Sequence, residues 1–329
     1  MLRHLAALLA LPLLAAPSCA QEAPSPRTIV ADAPTGEWVA IAADDLLVMD
    51  LVPDRDGKPR RVVIQLMPPP FSQGWVDNIR TLARAHWWDG TSVNRVQDNY
   101  VAQWGDATEK KPLPAGLKVV RESGYTVSTG ANLPVSVAGA LTDAFEAATE
   151  MPFYQNKGEV EGFWRNGDAY ADVTVLAIGW PFASDFKGPA VWPVHCYATV
   201  GVGRNLSPDT GSGAELYTVI GHAPRHLDRN IAVVGRVVEG IEHLSSLPRG
   251  KGELGFYDDP AKRVPITSVR LASELPEGDR PRFEYMNTEG PTFARYAQAR
   301  ANRRDPFFIV PAGGADICNI PVPVRRVKG

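Results

Sequence analysis

The sequence predicts a mainly β protein of short strands and loops, with a few helices packed against them. Three observations carry this. Glycine and proline number 29 each in 329 residues, and they punctuate short apolar runs. Several of those runs alternate apolar and polar residues, the period-two pattern of a strand with one buried face. Helical spacing is confined to a few stretches of about three or four turns or fewer. At 44% hydrophobic and 22% charged, the composition is that of an ordinary globular protein. The length allows one large or two modest domains. A net charge of −3 gives no electrostatic case for nucleic acid, which calls for a basic patch or stripe.

The chain opens on a short basic region, Arg3 and His4, followed by an apolar core over residues 5–16. That core is too short to span a bilayer, for which about 20 apolar residues are needed. Ser18 and Ala20 are small residues at cleavage-site spacing, so residues 1–20 read as a signal peptide cut after Ala20. Residues 21–36 read as a linker. The mature protein is expected to be periplasmic or secreted. A lipoprotein acylated at Cys19 is the rival, although Ala16, Pro17 and Ser18 make a poor lipobox. No later stretch approaches the length of an integral membrane span.

Residues 38–52 alternate, Asp54 to Gly57 make a turn, and residues 60–67 alternate again with Val62, Ile64 and Leu66 on one face. Two strands around a polar turn predict a hairpin. Pro68, Pro69 and Pro70 stop the second strand. Val76, Ile79, Leu82 and Ala83 then predict an amphipathic helix over 74–86. Next comes WWDGTSVNRVQDNYVAQWGD, residues 87–106. It reads as strand, turn, strand, with Asp89-Gly90 as turn formers. Val93, Arg95 and Gln97 are expected to share one face, and Arg95 meets Gln103 if the two pieces pair. A fixed cation among apolar residues is costly to bury unless it has a task.

Residues 107–192 are less regular, with a helical pattern over 137–151 and a strand-like run over 172–180. Trp164, Trp180 and Trp192 are expected to form a satellite core. Further strands are predicted over 195–203, 215–221, 231–238 and 264–271, with a short helix over 239–247. The remainder holds an arginine-rich helix over 292–303, its arginines solvated, and extended pieces over 307–310 and 317–324. After cleavage two cysteines remain, Cys196 and Cys318. An oxidising compartment permits a disulfide between them, and two buried thiols are the alternative. No CxxC or histidine pair stands at metal-ligand spacing, so no metal is expected.

Five motifs in order resemble the cyclophilin-type peptidyl-prolyl isomerases. Residues 75–79 (WVDNI) resemble T-V-x-N-F. Trp88-Asp89-Gly90 followed by Asn94-Arg95-Val96 resembles Y-D-G followed by F-H-R-V. Residues 100–106 (YVAQWGD) resemble F-M-I-Q-G-G-D, and residues 211–217 (GSGAELY) resemble the G-G-S-Q-F-F segment. His226-Leu227-Asp228 and residues 234–240 (VGRVVEG) resemble H-L-D and V-F-G-R-V-V-E-G. The resemblance implies a closed eight-stranded antiparallel β-barrel capped by two helices. On that reading the domain covers residues 37–272, with an insertion at about 107–192 and a C-terminal extension at 273–329.

For function the resemblance implies cis/trans isomerisation of X-Pro bonds in proline-containing polypeptides, with no cofactor. By matching position, Arg95 is the catalytic donor and Gln103 orients it. Tyr100, Val101, Tyr217 and Leu227 would line the proline pocket, with Leu216 and Glu215 beside them and His226 and Ile231 at the rim. Gly203 would leave room for the residue before proline. This chain departs from the family at Val93-Asn94 for Phe-His, at Glu215 for glutamine, and at Trp104 for glycine, where a bulky ring would crowd the groove. The alternative function is a protein-binding or chaperone module with weak or no isomerase activity. A hydrolase built on His195 or His222 lacks a nucleophile elbow, since Gly211-Ser212-Gly213 is incomplete.

Overall fold

A computed structural model describes residues 23–130, 133–150, 168–186 and 188–327. The expected signal peptide and Trp164 lie outside the described residues. The chain begins with α1 (Pro26–Ala31), capped by the Ser25 hydroxyl accepting from Thr28 N, and β1 (Trp38–Ala40). The predicted hairpin follows as β2 (Leu46–Leu51) and β3 (Arg60–Leu66). Helix α2 (Gln73–Arg84) buries Trp75, Val76, Ile79, Leu82 and Ala83, the face its spacing predicts. A second hairpin is β4 (Ser92–Val96) and β5 (Val101–Gly105). The insertion carries β6 (Val127–Ser128), α3 (Val135–Glu150), β7 (Val173–Ala177), β8 (Trp180–Asp185) and β9 (Gly188–Pro193). Then come β10 (Thr199–Val202), β11 (Leu216–Val219), β12 (Val233–Glu239), α4 (Glu242–Ser245) and β13 (Val264–Leu271). The tail adds β14 (Phe283–Met286), α5 (Pro291–Ala301) and β15 (Val324–Arg326).

Eight strands close an antiparallel barrel in the order β10-β11-β5-β4-β13-β2-β3-β12. Closure leaves the barrel itself no free sheet edge among the described residues. Helix α2 packs on β12 and β13, and α4 packs on β3. The interior is filled by alternate residues such as Leu47, Met49, Leu51, Val62, Ile64 and Leu66. Among the described residues no helix is long and apolar enough to cross a membrane.

Four expectations needed correcting. Residues 21–36, expected as a linker, contain α1, which packs against α5 with Ile29 and Ala33 beside Phe293 and Tyr296. Residues 38–52 are not one strand, because β1 leaves the barrel and pairs with β14, which pairs with β15. That sheet explains why β2 is apolar on both faces: Leu46 and Val48 pack outward against Ile41, Val63 and Phe283. In the insertion, the single run over 172–180 is two paired strands, β7 and β8, turning at Ile178 and Gly179, and β6-β9-β8-β7 form a four-stranded sheet. In the tail, residues 307–310 are an exposed turn region rather than a strand. Residues 317–319 form a 3-10 turn.

Cys196 and Cys318 form a disulfide, with Cα atoms 5.1 Å apart across 122 residues of sequence. Ile317, Cys318 and Cys196 join Trp192, Val194 and Ala171 in one apolar cluster. Trp180 and Trp192 are both buried but do not form one satellite core: Trp180 belongs to the main core, and Trp192 to the small cluster around the disulfide.

Candidate functional site

The site begins with a bulge. In the β4-β5 ladder Val93 faces Trp104, but Arg95 faces Gln103, so Asn94 is an extra residue on β4. An extra residue breaks period-two alternation. Val93 and Trp104 therefore point into the barrel, while Arg95 and Gln103 point outward, and the expected common face of Val93 and Arg95 does not form. Trp104 is 1% exposed within the interior, so it does not crowd the outer groove.

Beyond the bulge, β13 no longer covers β4. The segment 250–257 takes its place: Tyr257 N donates to Asn94 O at 3.0 Å and Gly250 N donates to Val96 O at 2.9 Å. This segment presents the Leu254 carbonyl to Arg95 Nε at 2.7 Å. Arg95 Nη1 donates to Gln103 Oε1 at 3.0 Å, and Nη2 donates to Gln97 Oε1 at 2.5 Å. Its guanidinium carbon lies 5.8 Å from the Tyr100 ring centroid and 5.4 Å from that of Phe256. All three acceptors are neutral oxygens, and among the described residues no carboxylate forms an ion pair with Arg95. Burial lowers its pKa below the ordinary value, with Tyr100 and Tyr217 opposing. A guanidinium has five N–H donors, so two remain for a substrate.

Beside Arg95 lies an apolar cluster on the outer barrel face: Val101, Tyr217 and Val219, with Tyr100, Leu227 and Ile231 packed against them. Val101 and Tyr217 come from neighbouring strands, since β5 pairs β11 with Gln103 opposite Tyr217. His226 stands exposed at the edge with its ring stacked 6.3 Å from that of Tyr100. Leu216 is 1% exposed and belongs to the barrel interior, so its side chain does not face this cluster.

Tyr217 is held from below. Its hydroxyl passes beside Gly201, where a Cβ would come within 2.3 Å of it. It reaches His195 Nε2 at 2.9 Å, and His195 Nδ1 lies 2.9 Å from Asp228 Oδ1. A carboxylate only accepts, so in the neutral ring Nδ1 carries the proton and Nε2 accepts from Tyr217. Asp228 also accepts from Arg225 Nε at 2.7 Å, and Arg225 Nη1 donates to Asp168 at 2.7 Å. His195 is fully buried with both ring nitrogens engaged, and His222 is exposed. Neither is placed as the base of a hydrolase.

Glu215 sits behind Gln103, not in the apolar cluster. The Gln103 and Asn94 side chains and the Asp106 backbone favour its charged form, but burial outweighs them and pushes its pKa up to about 7. Gly203 makes room within the protein for this side chain: a Cβ there would stand 3.0 Å from Glu215 Cβ and 3.4 Å from Gln103 Nε2.

The structure thus brings together Arg95, Gln103, Tyr100, Val101, Tyr217, Leu227 and Ile231, with His226 at the edge and Glu215 and Gly203 behind. Sequence reasoning missed the Leu254 carbonyl and Phe256, whose only trace is the glycine-punctuated stretch 250–255. It also missed the task of His195 and Asp228, because residues 33 apart carry no spacing motif.

The profile described as cyclophilin type peptidyl-prolyl cis-trans isomerase/CLD matches residues 61–271. Among solved structures, a cyclophilin from Hirschia baltica is similar over 91% of this chain and 96% of its own, with 21% identity and a TM-score of 0.58. A cyclophilin type peptidyl-prolyl cis-trans isomerase from Cryptosporidium parvum, solved in the presence of the dipeptide Ala-Pro, matches over 68% of this chain and 98% of its own. Its identity is 10% and its TM-score 0.35. No curated protein matches the chain.

Proposed function

Because the chain belongs to the cyclophilin-type peptidyl-prolyl cis-trans isomerase family, we propose that it isomerises X-Pro bonds of extracytoplasmic polypeptides, assists their folding and does so through Arg95. The prolyl bond resists rotation because amide resonance gives the C–N bond double-bond character. In the twisted state that resonance is lost and the nitrogen lone pair becomes a hydrogen-bond acceptor. A donor aimed at that nitrogen stabilises the twisted amide more than the planar one, which is the requirement for catalysis. Arg95 supplies such a donor. It is charged, fixed on one side by three oxygens, and left with two N–H groups.

The outer cluster of Tyr100, Val101, Tyr217, Leu227 and Ile231 would take the proline ring, since that ring offers apolar surface and no N–H. Val101 and Tyr217 are buried by their neighbours and keep their shape without substrate, which limits the ordering cost of binding. Export is supported by residues 1–20, whose pattern is that of a leader, and by the disulfide, which persists in oxidising compartments.

The observation that carries the reading is the Arg95–Gln103 pair held at 3.0 Å on the rim of an apolar cluster. NMR exchange spectroscopy on a short Ala-Pro peptide tests it. The wild type accelerates cis/trans exchange, and Arg95→Ala removes about 100-fold or more of kcat/KM, the usual cost of deleting one transition-state donor. A wild type that binds the peptide without accelerating exchange would establish the binding-module alternative instead.

A further inference from the structure

The tail carries an exposed apolar run that the Arg95 site does not use. Phe307, Ile309 and Val310 are 84%, 96% and 78% exposed, and Phe308 between them is exposed as well. Among the described residues, no other run of consecutive large apolar side chains stands in solvent. Single exposed apolar residues are ordinary, whereas a contiguous patch marks a place of contact. We propose that this loop docks the protein on a membrane surface: its apolar tip enters a phospholipid bilayer, and arginines at its base meet anionic headgroups.

The tip is held out by its base. Arg303 Nε and Nη2 donate to the two carboxylate oxygens of Asp305 at 2.5 and 2.7 Å. The Arg303 guanidinium carbon lies 4.4 Å from the Phe308 ring centroid. Phe308 N donates to Asp305 O at 2.9 Å, and Gly313 N donates to Asn302 Oδ1 at 3.2 Å, which closes the loop. Pro306 and Pro311 bracket the four apolar residues and restrict their backbone. Phe308 is thus tied to the base, while its three neighbours are left in water. A preformed tip loses little conformational freedom on insertion.

Charge is layered along the same loop. Residues 306–315 carry none, whereas residues 291–305 hold four arginines against one acid, Asp305. That is a local +3 in a chain whose net charge is −3. Asp305 is taken up by Arg303. Arg295 donates to the Thr292 hydroxyl and Arg300 to the Asn319 carbonyl, both neutral. Arg304 is exposed and forms no ion pair among the described residues. The next acid, Asp316, faces Arg225 at 3.9 Å instead. An uncharged apolar tip beyond a cationic base matches hydrocarbon beneath anionic headgroups. A second copy of this chain would bring the same arginines together, and like charges repel. An unfolded polypeptide offers apolar side chains without an ordered layer of anions.

The start of the mature chain lies at this end too. Ala23, three residues after the expected cleavage point, lines a groove on α5 with Arg295 and Arg304. The leader reading therefore brings a bilayer to this end of the molecule during export.

The test is vesicle flotation of the mature chain, residues 21–329. One set of vesicles holds about one-third phosphatidylglycerol in phosphatidylethanolamine, and the other is phosphatidylcholine alone. The wild type floats with the anionic vesicles and more weakly with the neutral ones. Phe307→Ser with Ile309→Ser lowers partitioning into both about 30-fold or more. Arg304→Ala lowers binding to anionic vesicles about fivefold and leaves the neutral ones unchanged. Both variants keep the wild-type urea midpoint, because these side chains are exposed. An environment-sensitive dye on Ile309→Cys shifts to the blue on vesicles. A wild type that stays off anionic vesicles overturns the proposal, and so does flotation that survives the double substitution. A dye that does not shift overturns it as well, since binding would then be electrostatic only. Self-association or capture of an unfolded polypeptide through the tip, without lipid binding, would assign the loop to that partner and refute the lipid reading. The isomerase reading stands or falls separately, because neither variant touches Arg95 or its apolar cluster.

Discussion

Glu215→Gln should make the protein more stable at pH 8 and leave it nearly unchanged at pH 5. The reason is that the folded protein holds a charge where it is poorly solvated. A solvated glutamate has a pKa of 4.5, and burial raises that of Glu215 to about 7. Between those values the folded state binds more protons than the unfolded state, so stability falls as pH rises through the window. The steepest loss is about 1.4 kcal/mol per pH unit, and the whole is up to about 3 kcal/mol by pH 8. Glutamine keeps the shape and removes the charge. Urea unfolding followed by tryptophan fluorescence at pH 5, 6, 7 and 8 measures the difference. With a slope near 3 kcal/mol per molar, the variant midpoint should lie about 1 M above the wild type at pH 8. The two curves should nearly coincide at pH 5. A difference independent of pH would refute the reasoning, and a wild type more stable at pH 8 would mean the carboxylate is net stabilised by the polar groups around it.

Three further outcomes follow from the same geometry. Tyr217→Phe leaves His195 Nε2 without a donor in a fully buried site, and should cost about 1–3 kcal/mol in urea unfolding. A smaller loss would mean that water replaces the hydroxyl. Asp168→Ala removes two hydrogen bonds from Arg225, which is 3% exposed, and should cost about 3–5 kcal/mol by the same measurement. An unchanged midpoint would show that Asp228 alone satisfies the cation. Cys318→Ser opens a loop of 122 residues and should lower stability by about 5 kcal/mol in the chain-entropy treatment. Reduced wild type should match that variant.

The Asp168 and Cys318 predictions concern how the added segments meet the barrel. Asp168 lies in the insertion, Cys318 in the tail, and both converge on the connection between β9 and β10 that holds His195. Arg225 and Asp228 link them to the hydroxyl of Tyr217. The insertion and tail therefore brace the floor of the apolar cluster from behind. The one-dimensional pattern offered a helix and a strand within residues 107–192 and a disulfide with free thiols as its alternative, but it gave no sign that these segments meet at His195.

What the sequence determined was local and ordered. The turn at residues 54–57, the helical face of α2, the paired pieces around Arg95 and the 264–271 strand all depend on periodicity and turn chemistry within a few residues. Motif order was also legible, and with it the family and the barrel. Tertiary structure decided which way side chains face once the pattern is broken. A single bulged residue at Asn94 sends Val93 inward and Arg95 outward, and a period-two count cannot register an insertion in one strand alone. Trp104 went to the interior and Leu216 with it, while Glu215 went behind Gln103. The apolar outer face of β2 had no explanation until the tail sheet covered it. Each of these depends on a contact between residues far apart in the chain, where burial and hydrogen bonding leave no trace in local spacing.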